Sequence, residues 1–265
     1  MGNLVELFRE NLGKSTGALS LYRHTMDVVK GAVSIARFGE RELGYDRKHA
    51  DQIILAAFLH DIGKLNRDFQ RMLLCVFEGR LEEIKSIPRI KHEAETFNIL
   101  EEAPGIVESS AEVIWEAIEE ETGWELPDGL ADGVHEDVWT FAVTHHGLFY
   151  VSIEEWEGYE GPQQLIRREW TTFYPREVGR RTLLDLLLRY HPLGGVVIVA
   201  DLLASYAYEN GKDLDALLGK HEHPGDIVKQ VLLPNAESIE DGIRKYDPRD
   251  YSLRATLNLL LGGLR

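Results

Sequence analysis

The sequence has little of what would mark a secreted, disulfide-stabilised or membrane-spanning protein. Cys75 is its single cysteine, which excludes an internal disulfide and suits a reducing compartment. The opening residues, MGNLVELFRE, lack a basic stretch followed by an apolar one, so we expect no secretory signal. No apolar run approaches the roughly 20 residues that cross a bilayer. These absences predict a cytoplasmic protein with no membrane partner.

Positive charge is also scarce. Lys and Arg together number 29 against 45 Asp and Glu, which gives a formal net charge of −16. A free-standing nucleic-acid binder usually carries a basic footprint. If DNA or RNA is the substrate, metal ions, local basic patches or a partner that delivers the strand must offset the repulsion. Seven Asn, five Gln and three Met are few for 265 residues, and charged residues reach 28%, a balance that leans towards a thermophile.

Helical periodicity, by contrast, runs through most of the chain. Helices are predicted at 18–43, 47–60, 66–87, 106–121, 136–146, 178–190 and 250–262, with a further helix that begins at His92. The apolar run 196–207 would pass locally for a buried strand, but its length favours a helix. We therefore predict an all-α fold, a helical bundle around a dinuclear metal site.

Nothing in the sequence requires two domains. The hydrophobic content of 44% is enough for one substantial core, and no repeat or linker is visible. We expect a single domain over 1–265, with a core at 18–209 and a C-terminal helical extension at 210–265.

The most informative segment is LHDIGK, residues 59–64, which closes the apolar run 53–59. A histidine and an aspartate side by side at a helix end can each reach a metal ion from one rigid anchor. Matching partners lie elsewhere, and the candidate metal ligands are His24, His60, Asp61, His92, His145, His146 and Asp201. Asp201 stands inside an apolar run, where a carboxylate needs a cation or a hydrogen-bond network to offset its burial. The order H…HD…H…HH…D is typical of a dinuclear metal phosphohydrolase.

Phosphoester hydrolysis explains the expectation of two ions. It requires neutralisation of the phosphate charge and a hydroxide made at neutral pH, and two metal ions a few Å apart supply both. Asp61 suits the role of the carboxylate that bridges them. We assign the first ion to His24, His60, Asp61 and Asp201, and the second to Asp61, His92, His145 and His146. Mixed imidazole and carboxylate ligation favours divalent Mn, Ni, Co or Fe, with Mg or Zn as alternatives.

Lys64 is assigned a catalytic role together with Asp61. It lies four residues after His60 and would share its helix face if that helix continues. Its ammonium could then hold a non-bridging phosphate oxygen in the transition state. Taken singly, these residues also have structural interpretations: His24 as a boundary histidine, and His145 and His146 as helix-terminal residues favoured by the dipole. Their joint occurrence in this order favours the metal site.

A second feature is the mixture of aromatic residues and arginines between 150 and 190. Aromatic faces stack bases and arginines hold phosphates in single-strand channels. The candidate nucleic-acid contacts are Arg167, Arg168, Trp170, Arg180 and Arg181. The alternatives are an insertion whose aromatic rings pack on the helices, and a docking face for a partner.

The residues around the HD pair resemble one particular family of metal phosphohydrolases. The stretch HDIGKLNRDFQ, residues 60–70, resembles the HD nuclease of type I CRISPR effectors, where HD-x-GK is followed at this distance by FQ. The segments 92–94, 144–147 and 200–205 are similar to that family's later motifs, and the resemblance covers residues 20 to 206. It implies an all-helical nuclease that cuts single-stranded DNA and is usually fused to a superfamily-2 helicase.

No Walker A sequence is present in these 265 residues, so the chain looks like the split form of that enzyme. The resemblance then implies two partners, a separate CRISPR helicase subunit and the crRNA surveillance complex. An HD fragment of a longer protein would give the same sequence pattern. Three other functions stay open: an HD phosphohydrolase of dNTPs, cyclic nucleotides or an alarmone, the HD domain of a type III CRISPR large subunit, and a non-catalytic scaffold.

Overall fold

The computed structural model describes residues 3–43, 46–88, 90, 92–125, 138, 142, 196–220 and 224–235. Over these residues the chain is helical apart from one short hairpin and the connecting turns. The prediction of an all-α fold is therefore confirmed. Within the same ranges, no helix combines the length and the apolar character that crossing a bilayer would require.

The N-terminal residues form a helix and a hairpin. In α1 (Leu4–Glu10), the Asn3 side chain accepts a hydrogen bond from the Glu6 N–H, and the Glu6 carboxylate accepts one from the Asn3 N–H. After α1, β1 (Leu12–Lys14) pairs antiparallel with β2 (Leu19–Ser20). The helical pattern does not predict this hairpin, and it places residues 19 and 20 at the start of a helix.

The central pair of helices is α2 (Leu21–Phe38) and α3 (Arg47–Leu59). The Ser20 hydroxyl caps α2 by accepting a bond from the Arg23 N–H, and a π-helical turn over Gly39–Leu43 extends it. Most apolar residues of both helices are buried in one continuous core. The helices predicted at 18–43 and 47–60 are thus confirmed apart from their first or last few residues.

The chain turns sharply after α3. A 3₁₀ turn at Ile62–Leu65 is followed by α4 (Arg67–Phe77) and α5 (Leu81–Ile84). The single helix predicted over 66–87 is wrong, because Gly79 adopts a φ of +73° and ends α4. There the Gly79 N–H donates to the Val76 carbonyl and the Arg80 N–H to the Cys75 carbonyl, a Schellman motif.

Three helices continue the bundle. As predicted, α6 (His92–Glu102) begins at His92. Next come α7 (Pro104–Glu108) and α8 (Ala111–Thr122), in place of the single helix predicted over 106–121. A second correction follows from Pro104, which is tolerated in the first turn of a helix and so begins α7.

Residues 196–209 form the helix α9, which settles the choice between strand and helix for this apolar run. Gly31 lets α9 approach α2 closely, since an added methyl group there would lie 3.1 Å from the Ala200 Cβ atom. Two short helices, α10 (Leu214–Lys220) and α11 (Pro224–Ile227), and a π-helical turn at Val228–Leu232 complete the described chain.

Several predicted helices are described in part or not at all. Val138 and Ala142, both in the helix predicted at 136–146, are helical and buried. The helices predicted at 178–190 and 250–262 lie outside the described residues.

Candidate metal centre

His60 and Asp61 form the turn between α3 and the 3₁₀ segment, and both are buried. The His60 Nδ1 atom lies 2.6 Å from the Ala57 carbonyl oxygen. A carbonyl oxygen can only accept, so Nδ1 carries the proton in that bond. In the neutral imidazole the lone pair then lies on Nε2, the atom that faces the other candidate ligands.

Three helices bring a first group of donor atoms together. His24 on α2, His60 at the end of α3 and Asp201 on α9 each offer one ligand atom, and these atoms lie within 4.8 Å of one another. The His24 Nε2 atom is 3.4 Å from Asp201 Oδ1. The Ser205 hydroxyl, one turn further along α9, donates to the same Asp201 oxygen at 3.3 Å. Two imidazoles and a carboxylate in so small a space fit a divalent transition-metal ion.

Asp61 lies between this group and a fourth candidate ligand. Its Oδ2 atom is 3.2 Å from Nε2 of His24 and 3.2 Å from Nε2 of His60. Its Oδ1 atom is 3.3 Å from Nε2 of His92 on α6. The two oxygens of one carboxylate therefore face different sets of histidines.

Neighbouring side chains keep both carboxylates ionised. Burial disfavours the charge on Asp61, but Lys64, His60 and His24 together outweigh it and hold the pKa of Asp61 well below its usual range. Burial also opposes the charge on Asp201, and His24, followed by His60, holds the pKa of Asp201 well below its usual range. A carboxylate has to be deprotonated to bind a metal ion, so both aspartates are in the form that a metal site requires.

Lys64 reaches the centre by a different route from the one expected. Helix α3 ends at Leu59, so Lys64 does not continue the helix face of His60. The 3₁₀ turn instead places the Lys64 Nζ atom 2.6 Å from Asp61 Oδ2. Nζ also donates to the Gly13 carbonyl of β1 at 3.2 Å. The lysine thus joins the hairpin to the aspartate.

The comparison with protein families agrees with this arrangement. The family model for the HD domain of Cas3 matches residues 9–208, which is most of the chain. The chain belongs to the Cas3 HD-domain family. Membership implies a metal-dependent hydrolase of the CRISPR-associated nucleases, with nucleic acid as the substrate class. No curated protein and no solved structure matches the chain.

The Phe-Gln pair of the Cas3-like stretch has a structural explanation. The Phe69 ring packs against the His92 ring, with centroids 5.2 Å apart. The Gln70 Nε2 atom donates to the carbonyls of Leu12 at 2.8 Å and Lys64 at 2.7 Å, and its Oε1 accepts from the Leu12 N–H at 2.8 Å. Gln70 therefore fastens the hairpin to the segment that carries the HD pair.

Sequence reasoning missed Thr96, which is fully buried on α6. Its hydroxyl accepts from the Gly63 N–H at 3.0 Å and donates to the His60 carbonyl at 3.1 Å. Its spacing of one helical turn from His92 was the available signal, but a threonine within a helix is too common to stand out.

The structure thus brings His24, His60, Asp61, His92, Lys64 and Asp201 together. Of the remaining predicted ligands, His145 and His146 lie outside the described residues. The candidate nucleic-acid contacts Arg167, Arg168, Trp170, Arg180 and Arg181 also lie outside them.

Proposed function

We propose that this protein is a metal-dependent phosphodiesterase that cleaves single-stranded DNA, as an endonuclease or exonuclease, in type I CRISPR interference. One observation carries the proposal: Asp61 directs one oxygen towards His24 and His60 and the other towards His92. A carboxylate shared by two cations needs this geometry. Membership of the Cas3 HD family supports a reaction of this class.

The ligand assignment made from the sequence is retained as part of the proposal. His24, His60, Asp61 and Asp201 would hold one ion, and Asp61, His92, His145 and His146 would hold the other. The donor set favours Mn, Ni, Co or Fe, with Mg or Zn as alternatives. When bound, the two ions would neutralise charge on the phosphodiester and supply a nucleophile from water at neutral pH.

The protein groups around the ions are proposed to orient the ligands and the substrate. The Ala57 carbonyl fixes the His60 ring, and the Ser205 hydroxyl steadies Asp201. The Lys64 ammonium is only slightly exposed and lies against Asp61. From there it would add positive charge where an anionic phosphate oxygen approaches the carboxylate.

The net charge of −16 affects how single-stranded DNA would reach the site. We propose that a separate helicase subunit and the crRNA surveillance complex deliver single-stranded DNA, since the chain as a whole repels it. Arg167, Arg168, Trp170, Arg180 and Arg181 are proposed as local contacts to the strand. We also retain the single domain with a core at 18–209 and an extension at 210–265.

An activity panel on metal-stripped protein tests the function. Mn²⁺, Ni²⁺, Co²⁺, Fe²⁺, Zn²⁺ and Mg²⁺ are added separately, with labelled single-stranded DNA, duplex DNA, RNA, dNTPs and cyclic dinucleotides as substrates. We expect a transition metal to restore cleavage of single-stranded DNA. Asp61→Ala should reduce it to the level of the metal-free protein, whereas the exposed Asp215→Ala should match the wild type.

The same panel decides the alternative, a nucleotide phosphohydrolase. The net negative charge is compatible with that function as well as with the nuclease, since a small substrate needs no basic track. Hydrolysis of dNTPs or cyclic dinucleotides with DNA left intact would establish the alternative. Cleavage of DNA by purified Asp61→Ala at the wild-type rate would refute the metal-site assignment itself.

A further inference from the structure

The hydroxyl of Thr96 joins the turn formed by His60 and Asp61, here called the HD turn, to the helix that carries His92. Thr96 lies four residues after His92 on α6, and its side chain is completely buried. The single hydroxyl accepts a hydrogen bond from the Gly63 N–H and donates one to the His60 carbonyl. Both partners are backbone groups of the turn that presents Asp61.

The contact between α6 and this turn leaves no space. A methyl group at Gly63 would overlap the His92 carbonyl oxygen and the Thr96 backbone nitrogen, and would lie 2.8 Å from the Thr96 hydroxyl oxygen. A second link runs from the Asn66 side chain, which donates to the Glu95 carboxylate at 3.0 Å. The first turn of α6 is therefore held against the turn by backbone packing and by side-chain hydrogen bonds.

The position of His92 relative to Asp61 depends on this contact between α6 and the HD turn, which we call the joint. Of the described elements that pack on α6, the 3₁₀ turn at Ile62–Leu65 makes the most extensive contact. His92 Nε2 lies 3.3 Å from Asp61 Oδ1, a distance spanned by side chains from the two sides of the joint. A shift of α6 along the turn would change that distance directly.

We propose that Thr96 is a positioning residue that sets the separation of His92 and Asp61, and thereby the affinity for the ion that His92 binds. The inference rests on the proposed metal site and deepens it. The Thr96 side chain is buried and bonded to backbone groups, so it would contact neither the ion nor the substrate. It acts through the backbone of the HD turn on one side and through one turn of α6 on the other.

Equilibrium dialysis of the metal-stripped 265-residue protein against Mn²⁺ tests this role without any turnover. Thr96→Val removes the hydroxyl, Thr96→Ala removes it without adding bulk, and Thr96→Ser retains it. Thr25→Val is the matched control. Thr25 is a fully buried threonine beside His24, and its hydroxyl has no hydrogen-bond partner among the described residues.

We expect Thr96→Val and Thr96→Ala to weaken binding of one of two Mn²⁺ ions by about 10–100-fold, the usual effect of losing a group that orients a metal ligand. His92→Ala should weaken the same ion. Thr96→Ser and Thr25→Val should keep both affinities. The retained ion in the Thr96 variants also shows that they are folded.

Two results would overturn the inference. Wild-type affinity for both ions in Thr96→Val and Thr96→Ala would show that the joint does not control His92. Loss of both ions together with the cooperative thermal transition would make Thr96 a residue of the fold as a whole. Both results differ from a failure of the proposed function, in which wild-type protein binds two ions but leaves single-stranded DNA intact.

Discussion

The Lys64 ammonium lies closer to Asp61 than His24, His60 or His92 does, with 2.6 Å between Lys64 Nζ and Asp61 Oδ2. Nε2 of His24 and Nε2 of His60 are each 3.2 Å from the same oxygen. The lysine is held there by the Gly13 carbonyl, so its position depends on the hairpin as well as on the 3₁₀ turn. Its charge stabilises the carboxylate and stands beside the candidate metal ligands.

Replacing Lys64 distinguishes a role in supporting the metal ligands from a role in binding the substrate. We expect Lys64→Met to lower the turnover of single-stranded DNA by about 10²-fold, the order seen when one preorganised cationic or hydrogen-bonding group is removed. Bound metal should remain at the wild-type level, because the histidine and aspartate ligands are unchanged. Turnover and metal content are measured on the same samples. Lys85→Met, at an exposed lysine paired with Glu82, is the control. Loss of metal in Lys64→Met would show that Lys64 supports the ligands instead of the substrate.

The close approach at Gly63 predicts a large effect of a single methyl group. Gly63→Ala should lower the free energy of unfolding by about 1–3 kcal/mol, because the methyl overlaps the backbone of α6 and one element has to move. Gly105→Ala is the control, since nothing lies within 4 Å of the added methyl on α7. It should be neutral or stabilising by up to about 1 kcal/mol. Urea denaturation of the metal-free proteins measures both, and equal stability of the two variants would contradict the packing.

The hydrogen bonds of the Gln70 amide predict that the stability of the protein depends on its single nitrogen atom. Its Nε2 group donates to two carbonyls, so Gln70→Glu would place a carboxylate oxygen against both. We expect a loss of about 1–3 kcal/mol in the free energy of unfolding, the cost of polar groups left without their partners. Gln230→Glu introduces the same charge at an exposed position and should stay within about 0.5 kcal/mol of the wild type. A similar small change in both variants would mean that the hairpin does not depend on this amide.

The arginines between 150 and 190 predict that strand binding depends on salt concentration through this segment. If Arg167 and Arg168 contact phosphates, their joint replacement by alanine should weaken strand binding and reduce the slope of log affinity against log salt by about 1.4 for single strands. Fluorescence anisotropy at several salt concentrations measures that slope. An unchanged slope would favour packing or partner docking for this segment.

The sequence predicted the helices better than it predicted the joints between them. The candidate ligands could be proposed because histidines and aspartates stand out at helix ends and within apolar runs, as at His60 and Asp201. Periodicity alone could not show that Gly79 ends α4, because the apolar spacing continues past it. A left-handed φ depends on which turn the surrounding chain imposes.

The hairpin and the role of Thr96 could not be predicted for a related reason. Strands of two or three residues, such as β2, are too short to give an alternating pattern. They form here because Gln70 and Lys64 supply partners for the backbone of β1. The role of Thr96 likewise depends on its contact with Gly63. These two residues are 33 positions apart, and the spacing of residues along a helix does not reveal contacts between segments so distant in sequence.

The close packing of α2 and α9 at Gly31 and Ala200 has a consequence for biogenesis. His24 emerges from the ribosome well before Asp201, and their meeting depends on the long-range contact between α2 and α9. Contacts of such high sequence separation form slowly. A nascent or truncated chain that already contains the HD turn therefore still lacks Asp201, one of the candidate ligands. The candidate metal centre is therefore assembled only when α9 packs against α2.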